Sequence, residues 1–448
     1  MPTANRCIQR DSADRWQVMT STGVLHKPAS SRGEGSIVPR LLPADGSGTE
    51  DLIAHLERHG MRALNHSTIE WRHTMLHEIE RSGLLGRGGA AFPTGQKLRA
   101  VMAGSRRPVV IGNGTEGEPA SMKDRVLLAR APHLVLDGAS VAADIVMAGE
   151  VVMVVHREVR TAVDVAIEER RQRGIDRIPV RVVTASDRFV AGEASAVVNW
   201  VERGRAVPID KPPRMSERGL GRRPTLVQNV ETLAHLALIC RYGSEWYREI
   251  GTPEEPGSML VTLTGSVERA GVHEVVIGSA VKNILALADG HSEELQALLI
   301  GGYFGTWIPS DSAMTLPFSS QGLGIGLGAG LIVAFPASAC GLVETARLAR
   351  YLATQSAGQC GPCKFGLPAI AHELEMLAEG RPVRMNDLRR WLIEVDGRGA
   401  CSHPDGAARQ IRSALDIFHV EVDRHLEGSC SVSDRRTGLP LLTESSSR

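Results

Sequence analysis

Apolar residues between positions 50 and 184 follow two spacings, which predict two kinds of element. In residues 50–60 and 68–81 they recur every three or four positions, which places them on one face of a helix. Short continuous apolar runs predict buried strands. A longer apolar stretch predicts a buried helix, and a charged amphipathic stretch predicts another helix. The strands cover residues 108–111, 151–156 and 180–184, and the helices cover residues 135–147 and 159–173. Strands that alternate with helices in this order indicate a parallel sheet covered on both faces.

Beyond residue 257 the pattern changes twice. Short apolar runs and a helix capped by Ser279 predict a small domain of the β-grasp type. Its strands cover residues 259–263, 271–277, 298–300 and 331–335. From residue 342 onward the apolar residues recur at helical spacing, as Leu388, Leu392 and Val395 do, which predicts a four-helix bundle.

These patterns divide the chain into five segments. The predicted fold class is α/β, with a Rossmann-like parallel-sheet domain followed by a small β-grasp domain and a C-terminal helical bundle. The segments are a mobile arm at 1–45, the α/β domain at 46–256, the β-grasp domain at 257–335, the bundle at 336–428 and a disordered polar tail at 429–448.

Composition excludes several classes of protein. Lys plus Arg and Asp plus Glu each number 51, so no net charge favours a nucleic-acid partner or an anionic membrane surface. No stretch has the roughly 18 to 20 uninterrupted apolar residues of a membrane span. The charged start of the chain does not resemble a signal peptide. We therefore expect a cytoplasmic protein with no membrane span and no nucleic-acid partner.

Two glycine-rich turns are the clearest candidates for binding chemistry. They cover residues 86–97 and 113–119, on either side of the strand predicted at 108–111. Glycines at this density let backbone N–H groups approach an anion, and Arg87 and Lys97 add positive charge. The stretch therefore predicts a phosphate cradle rather than simple turns.

The second turn also contains the Gly-x-Gly-x-x-Gly spacing of a dinucleotide fingerprint, at Gly112, Gly114 and Gly117. The residues that follow are Glu118 and Pro119 instead of the apolar start of a helix. An ordinary Rossmann fingerprint is therefore rejected, although both turns are expected beyond the carboxyl ends of the strands.

Residues 224–233 predict the start of a helix that runs toward Tyr242. Thr225 and Asn229 would lie at that start, where exposed N–H groups and the helix dipole attract a phosphate. Simple helix capping is the alternative role for both side chains.

Three cysteines are candidate metal ligands. Seven cysteines in 448 residues are too few for a disulfide scaffold, so clustered ones favour a metal centre in a reducing compartment. Cys360 and Cys363 are three positions apart, and Cys401 is placed to supply a third ligand. A thioredoxin-like redox pair and a chance spacing are the alternatives for the first two.

The motifs between residues 82 and 426 resemble those of one family. It comprises the flavin-bearing, NADH-oxidising subunit of respiratory complex I and the diaphorase subunits of NAD-linked hydrogenases and formate dehydrogenases. The order of the predicted domains is also that of the family: flavin-binding, β-grasp and iron–sulfur. The matching runs are Gly86-Arg87-Gly88-Gly89-Ala90, Phe92-Pro93-Thr94-Gly95, Lys97, Asn113, Glu116, Glu118-Pro119, Lys123-Asp124-Arg125, Gly192-Glu193, Lys211-Pro212-Pro213, Asn229-Val230-Glu231-Thr232-Leu233 and the run ending at Cys363.

The resemblance implies cofactors and a set of residues that hold them. FMN would be surrounded by Gly86, Gly88, Lys97, Asn113, Glu116, Glu193 and Asn229, with Arg87 in the same turn. NADH or NADPH would be faced by Phe92, Glu118 and Lys211, with Glu118 orienting the dinucleotide. An iron–sulfur cluster would be bound by Cys360, Cys363 and Cys401.

The chain departs from the family pattern at the cluster. Ala357 stands where the family has a cysteine, so one of four ligands is missing. A 4Fe–4S cluster would need a substitute, for which Ser356, His403, Cys430 or a small molecule are candidates. The alternatives are a 3Fe–4S cluster and no cluster.

The dinucleotide side also differs. Aromatic residues of the family are replaced at Ala100 and Arg214, and acidic residues at Ala194 and Thr115. Arg99 and Arg214 offer guanidinium groups that stack on adenine or pair with a 2′-phosphate. We therefore expect a preference shifted toward NADPH.

The expected function is that of an NADH dehydrogenase-like flavoenzyme. It would pass electrons from NAD(P)H through FMN and the cluster to a ferredoxin-like or other iron–sulfur partner subunit. One alternative is a degenerate relative that binds a nucleotide or partner without iron–sulfur electron output. Another is a reductase that passes electrons straight from FMN to a small acceptor.

Overall fold

The computed structural model describes residues 8–10, 16–18, 39–44, 48–61, 68–209, 213–432 and 439–441. The first elements are strands β1 (Ile8–Arg10) and β2 (Trp16–Val18), which pair in antiparallel fashion. Further along the predicted arm, Arg40 and Leu41 are buried, and Arg40 donates hydrogen bonds to the carbonyl oxygens of Trp246 and Tyr247. This part of the arm is packed against the body of the protein.

The first domain is built on a four-stranded parallel sheet, which confirms the predicted sheet. Its strands run in the order β5-β4-β3-β6, and its core lies between the sheet and the covering helices. The elements are α1 (Leu52–His59), α2 (Ile69–Ser82), α3 (Thr94–Met102), β3 (Val109–Gly114), α4 (Lys123–Arg130), α5 (Pro132–Val146), β4 (Glu150–Val155), α6 (Arg157–Gln172), β5 (Val180–Thr184), α7 (Ala194–Arg203), β6 (Thr225–Asn229), α8 (Val230–Tyr242) and α9 (Ser244–Arg248).

The predicted helix start at Thr225 is wrong. Thr225 begins strand β6, and the helix begins five residues later at Val230, with Asn229 as its N-cap. Leu226 and Val227 are buried on the two sides of the strand, because β6 pairs with β3 and is covered on both faces. A strand this short, placed directly against a helix, has no periodicity of its own.

The second domain contains a mixed five-stranded sheet in the order β10-β9-β11-β7-β8. Strand β11 runs parallel to β7 and antiparallel to β9. The helix predicted between β8 and β9 starts at Val281, with Ala280 as its N-cap, so the predicted cap at Ser279 is wrong. The elements are β7 (Ser258–Gly265), β8 (Gly271–Val276), α10 (Val281–Ala286), β9 (Leu295–Ile300), β10 (Thr306–Pro309), α11 (Ser310–Ala313), α12 (Ser320–Leu323) and β11 (Leu331–Pro336).

The C-terminal region is helical, as predicted, and packs on one face of the second sheet, but its described residues form five helices instead of four. Trp307 and Phe335 of that sheet contact Phe418 near the end of the chain. The helices are α13 (Gly341–Gln355), α14 (Leu367–Ala378), α15 (Met385–Val395), α16 (His403–Ile417) and α17 (His419–Leu426), with a π-helical turn at Pro362–Gly366. The fold class, with a parallel sheet, a second sheet and C-terminal helices, is confirmed.

The expectation of a disordered tail does not hold for residues 439–441. Leu439 is 5% exposed and packs in the core shared by the helices and the second sheet. The hydroxyl of Tyr303 donates a 2.5 Å hydrogen bond to the carbonyl oxygen of Pro440. Residues 439–441 therefore contribute to packing.

No single helix among the described residues has the length and apolarity to cross a membrane. One pair of consecutive helices, Lys123–Arg130 and Pro132–Val146, is long and apolar enough when the two are taken together. The chain bends by 97° between them.

Candidate functional site

A cleft of about 1070 Å³ lies at the carboxyl ends of β3 and β6. Both glycine turns line it, as the position of ligand sites in parallel sheets predicts. The second domain contributes Gly301, Phe304 and Ile325, and the helical region contributes Cys401 and Arg409. The cleft is therefore enclosed by all three parts of the chain.

The first glycine turn is a compact loop between α2 and α3. The N–H of Gly86 donates to the carbonyl oxygen of Phe92 at 3.0 Å, and Gly89 has a φ of +105°, which favours glycine. A Cβ on Gly88 would lie 3.2 Å from the Cβ of Asn229, so the two cofactor candidates pack closely. Phe92 is 48% exposed and lines the cleft, which leaves its ring face free for a ligand.

Lys97 places an ammonium group at the edge of the cleft. Its Nζ donates to the carbonyl oxygen of Val227 at 2.9 Å and to Oε1 of Gln228 at 3.3 Å. Burial lowers the pKa of Lys97. A phosphate beside this ammonium would offset that loss of solvation.

Arg87 contributes to the lining of the cleft, but its guanidinium is engaged elsewhere. Nη2 donates to the hydroxyl of Tyr247 at 3.1 Å and to the carbonyl oxygens of Pro256 and Ser258 at 3.4 and 3.2 Å. The expectation that Arg87 supplies charge to a phosphate is therefore corrected: its charge holds the turn against the junction with the second domain.

Glu116 has a structural use that the sequence did not reveal. Oε1 accepts from the hydroxyl of Ser121 and the N–H of Asp124, and Oε2 accepts from the N–H and Nε of Arg125. These contacts satisfy the first turn of α4 and leave the carboxylate no free direction toward a cofactor. The residue itself lines the cleft with a φ of +43°.

Asn113 and Asn229 brace the ends of neighbouring strands. The amide of Asn113 donates to the carbonyl oxygen of Gly192 at 2.9 Å. The amide of Asn229 donates to Oδ2 of Asp124 at 2.6 Å, while its Oδ1 accepts from the N–H of Glu231. Both residues line the cleft with their side chains already held in place.

Glu193 is the N-cap of α7. Its Oε2 accepts from the N–H groups of Ser195 and Ala196 at 2.8 and 2.9 Å and from the hydroxyl of Ser195. Its position on the cleft wall fits the sequence prediction, and the capping contacts orient the carboxylate.

Glu118 is the group in the cleft with the most unusual electrostatics. Oε2 accepts from the N–H of Tyr303 at 2.7 Å, whereas the buried Oε1 has no hydrogen-bond partner among the described residues. Burial raises the pKa of Glu118 to about 8, and the nearby Glu116 acts in the same direction. At neutral pH the carboxyl is therefore mostly protonated and can donate a hydrogen bond.

The two arginines proposed to compensate for lost aromatic rings differ in position. Arg99 forms two hydrogen bonds with Glu80 on α2, at 2.8 and 2.6 Å, and is not part of the cleft lining, so its proposed role is wrong. Arg214 is exposed, lines the cleft and has no side-chain partner among the described residues. Lys211 lies outside the described residues.

The three predicted metal-binding cysteines approach one another at the side of the cleft. Burial, with smaller contributions from Cys360 and Cys401, raises the pKa of the Cys363 thiol to about 12. The Ser356 side chain acts in the opposite direction, as a hydrogen-bond donor to Cys363. Burial also raises the pKa of Cys401, which lines the cleft near Glu193. Cys363 is thus the thiol that Cys360, Cys401 and Ser356 all approach.

The other proposed substitutes for the missing ligand are placed differently. His403 donates a hydrogen bond from Nε2 to the carbonyl oxygen of Leu352, 2.7 Å away, and its ring packs against Phe189 and Phe304. Cys430 belongs to a separate group with Cys340. Ser356 is the candidate whose side chain contacts a predicted ligand, since it donates to Cys363, whereas His403 reaches Cys401 only through its backbone.

Sequence reasoning missed the far wall of the cleft. Residues 301–306 and 324–329 of the second domain line it. A signal was present, since residues 322–330 are rich in glycine. These glycines permit close packing, because a Cβ on Gly328 would lie 2.3 Å from the carbonyl oxygen of Gly301. Nothing in the sequence pointed to Phe304 or Arg409.

Two protein families match parts of the chain. The Nuo51 FMN-binding domain matches residues 79–238, and the NADH-ubiquinone oxidoreductase-F iron–sulfur binding region matches residues 343–425. The first range contains both glycine turns and the second contains the three cysteines.

Curated relatives and solved structures agree with these matches. The F 2 subunit of NADH-quinone oxidoreductase from Rhizobium meliloti (strain 1021) is 31% identical over 389 residues, which cover 82% of this chain and 92% of that protein. The F subunit of the Streptomyces coelicolor enzyme is 30% identical over 372 residues, covering 78% and 82%. A chain of the air-oxidised NAD⁺-reducing [NiFe]-hydrogenase superposes with a TM-score of 0.74 at 27% identity, covering 79% of this chain. The match spans 63% of that hydrogenase chain, which is less than two-thirds of its length.

Proposed function

The chain belongs to the family of NADH-quinone oxidoreductase F subunits, and from this premise we propose that it oxidises NADH at an FMN in the cleft and passes the electrons through an iron–sulfur centre. The observation that carries the proposal is that Lys97, Glu118 and Cys401 line one cleft. A phosphate-binding cation, a dinucleotide-facing carboxyl and a cluster ligand are thereby brought together.

The residues of the cleft fit FMN. The glycine turn leaves room for a close approach of the backbone, and Lys97 supplies a half-buried cation for the phosphate. When bound, FMN takes hydride from the nicotinamide and releases electrons singly, which suits it to join a dinucleotide to a one-electron carrier. The protein contributes binding, orientation and the exclusion of water.

The roles of individual residues follow from their contacts. Phe92 presents an exposed ring face on which a dinucleotide base can stack. Glu118 holds a proton at Oε1, which has no partner of its own among the described residues, and so offers a hydrogen bond to the dinucleotide. Asn113, Glu193 and Asn229 keep the floor of the cleft rigid through bonds to the backbone.

The cysteine site fits an iron–sulfur cluster with one non-cysteine position. Cys360, Cys363 and Cys401 supply three thiolates, which are the usual cluster ligands. We propose that the oxygen of Ser356 takes the place of the thiolate lost at Ala357, because Ser356 is 8% exposed and contacts Cys363. Its hydroxyl would lose its proton on binding.

The electron acceptor is proposed to be an iron–sulfur protein that docks near the cysteine site. The relatives are subunits of NADH-quinone oxidoreductases and of a hydrogenase, which favours an assembly of this kind. A cytoplasmic location is part of the same proposal, because the cluster cysteines must stay reduced.

An absorption spectrum of protein purified without air tests the proposal. We expect flavin bands on a broad iron–sulfur absorbance, and both should bleach when NADH is added. Flavin without iron would support a reductase that passes electrons straight from FMN, and colourless protein would support a relative that has lost the chemistry.

Iron analysis tests the Ser356 assignment separately. We expect about four iron atoms per chain in the wild type, about three in Ser356→Ala, and four again in Ser356→Cys. If the wild type and Ser356→Ala contain the same amount of iron, Ser356 is not a ligand.

A further inference from the structure

A second group of metal-binding side chains lies outside the proposed cluster. Cys340, Glu421, His425 and Cys430 each present one ligand atom, and these four atoms all lie within 4.8 Å of one another. Within the described part of the chain, this is the only such group of three or more His, Cys, Asp or Glu residues. The iron–sulfur region matched by the family ends before Cys430 and begins after Cys340.

His425 is oriented as a metal-binding histidine. Its Nδ1 lies 3.2 Å from the carbonyl oxygen of Leu377, which can only accept a hydrogen bond, so Nδ1 carries the proton. The lone pair is then on Nε2, which faces the Sγ of Cys340 at 3.5 Å. A backbone carbonyl that fixes the tautomer of a ligand histidine is a common feature of metal sites.

The carboxylate of Glu421 is held toward the same point. Ser431 donates to it from both its N–H and its hydroxyl, which fixes its direction. Oε1 lies 3.4 Å from Nε2 of His425, and Glu421 is 13% exposed while His425 is 1% exposed. Two atoms that carry lone pairs therefore face each other inside the protein, an arrangement that a cation between them would stabilise.

We propose that Cys340, Glu421, His425 and Cys430 bind a structural Zn²⁺ ion. Two thiolates, one imidazole and one carboxylate form a closed four-ligand set of the kind zinc prefers, with no position left for substrate. Tetrahedral zinc with bonds of about 2.0 to 2.3 Å separates its ligand atoms by roughly 3.3 to 3.8 Å. The separations of 3.4 and 3.5 Å in the apoprotein match this range. Binding releases the two thiol protons to solvent.

The ion would join three stretches of the C-terminal region. Cys340 precedes the first turn of α13, Glu421 and His425 lie one turn apart on α17, and Cys430 follows that helix. The segment after Cys430 leads to Pro440, whose carbonyl oxygen accepts from Tyr303, and the N–H of Tyr303 donates to Glu118. Zinc would therefore hold the start of α13, helix α17 and the residues directly after α17 together.

Metal analysis and X-ray absorption of the wild-type chain test this assignment directly. We expect one zinc per chain, counted separately from iron, in protein purified without air and without added metal. The X-ray absorption at the zinc edge should show two sulfur neighbours at about 2.3 Å and two nitrogen or oxygen neighbours at about 2.0 Å, which are the usual lengths of such bonds. A four-sulfur or all-oxygen shell would overturn the ligand set.

Variants separate this site from the cluster. Cys430→Ser and His425→Gln should lower zinc affinity at least tenfold and leave the iron content unchanged. Cys363→Ser should do the reverse, and Cys240→Ser, a cysteine of α8, should change neither. No zinc in the wild type, an unchanged zinc affinity in Cys430→Ser, iron in place of zinc, or a Cys340–Cys430 disulfide found by mass spectrometry would each overturn the proposal.

Discussion

At the scale of single residues, Glu118 links structure to pH dependence. Its pKa of about 8 arises mainly from burial, which penalises the charged form. A folded pKa above the ordinary value of 4.5 means that the neutral form stabilises the fold below pH 4.5, and this stability is lost as pH rises toward 8. The same ionisation would remove the hydrogen-bond donor from the cleft.

We therefore expect kcat/KM for NADH to fall as pH rises through about 8, because a charged Glu118 repels the pyrophosphate of the dinucleotide. Glu118→Gln keeps a donor and never ionises, so its activity, whatever its level, should lack this step. A pH profile of both proteins provides the measurement. An increase in wild-type activity across this range would show that the ionised carboxylate binds the dinucleotide.

Lys97 is the residue on which FMN binding is expected to depend. A hydrogen bond to a charged group contributes about 1.5–3 kcal/mol, so Lys97→Ala should weaken FMN binding roughly ten- to hundredfold. FMN content per chain and a titration of the apoprotein check this. Lys282→Ala, which removes an exposed lysine of α10, is the control and should retain full flavin. Full flavin in Lys97→Ala would refute the assignment to the phosphate.

Arg214 carries the remaining argument for NADPH. Its guanidinium lies in the cleft without a partner among the described residues, so a 2′-phosphate could pair with it. Arg214→Ala should lower kcat/KM for NADPH about tenfold and leave that for NADH nearly unchanged. Arg99→Ala is the matched control, because Arg99 is paired with Glu80. Equal or better turnover of NADH by the wild type would contradict the predicted shift in preference.

At the scale of elements, the second glycine turn is locked against the segment before α7. A Cβ on Gly117 would lie 2.4 Å from the carbonyl oxygen of Phe189, whereas a Cβ on Gly192 would meet nothing closer than the N of Gly117 at 3.9 Å. A side chain would therefore clash at Gly117 but not at Gly192, which provides a matched pair of substitutions.

Gly117→Ala should destabilise the protein by roughly 1–3 kcal/mol, because the backbone oxygen can move only with its segment. Gly192→Ala should be close to neutral in stability. Thermal unfolding of the two apoproteins, measured without flavin, gives the comparison. Equal melting temperatures would mean that the two segments separate easily.

The elements also show how far periodicity can be trusted. Helix α2 and strand β5 match their predicted ranges closely, because the first has a sustained helical spacing and the second is a short run rich in β-branched residues. Strand β6 and helix α4 were not predicted. The first is short and continuous with a helix, and the second begins at residues that follow directly on a glycine turn. Strand β6 is stabilised by its pairing with β3, and the first turn of α4 is stabilised by the carboxylate of Glu116, which accepts from the N–H of Asp124.

At the scale of the whole molecule, Arg87 connects the first glycine turn to the start of the second sheet. Its partners Tyr247 and Ser258 lie 160 and 171 positions away in sequence. Near it, the N–H of Leu260 donates to Glu231, which pairs with the buried Lys123. These contacts fix the two domains that form opposite walls of the cleft.

Arg87→Met should therefore lower stability by at least about 1.5–3 kcal/mol, because buried carbonyl oxygens lose a charged donor. Arg171→Met removes an exposed pair with Glu168 and should have little effect. Differential scanning calorimetry of both variants tests this. If Arg87→Met lost flavin without any loss of stability, Arg87 would instead be a cofactor ligand, as the sequence suggested.

The amino-acid sequence alone was enough to establish the fold class, the glycine turns, the candidate cysteine ligands and the family, because these depend on local spacing and on residue types that few chemistries require. The use of each charge depended on the tertiary structure. Arg87 and Glu116 make structural contacts, and one oxygen of Glu118 has no hydrogen-bond partner among the described residues. Cys340 lies beside Cys430, which is far along the chain, in a group that no sequence motif predicts. Burial and hydrogen-bond partners set these roles, and both come from segments that are distant in sequence.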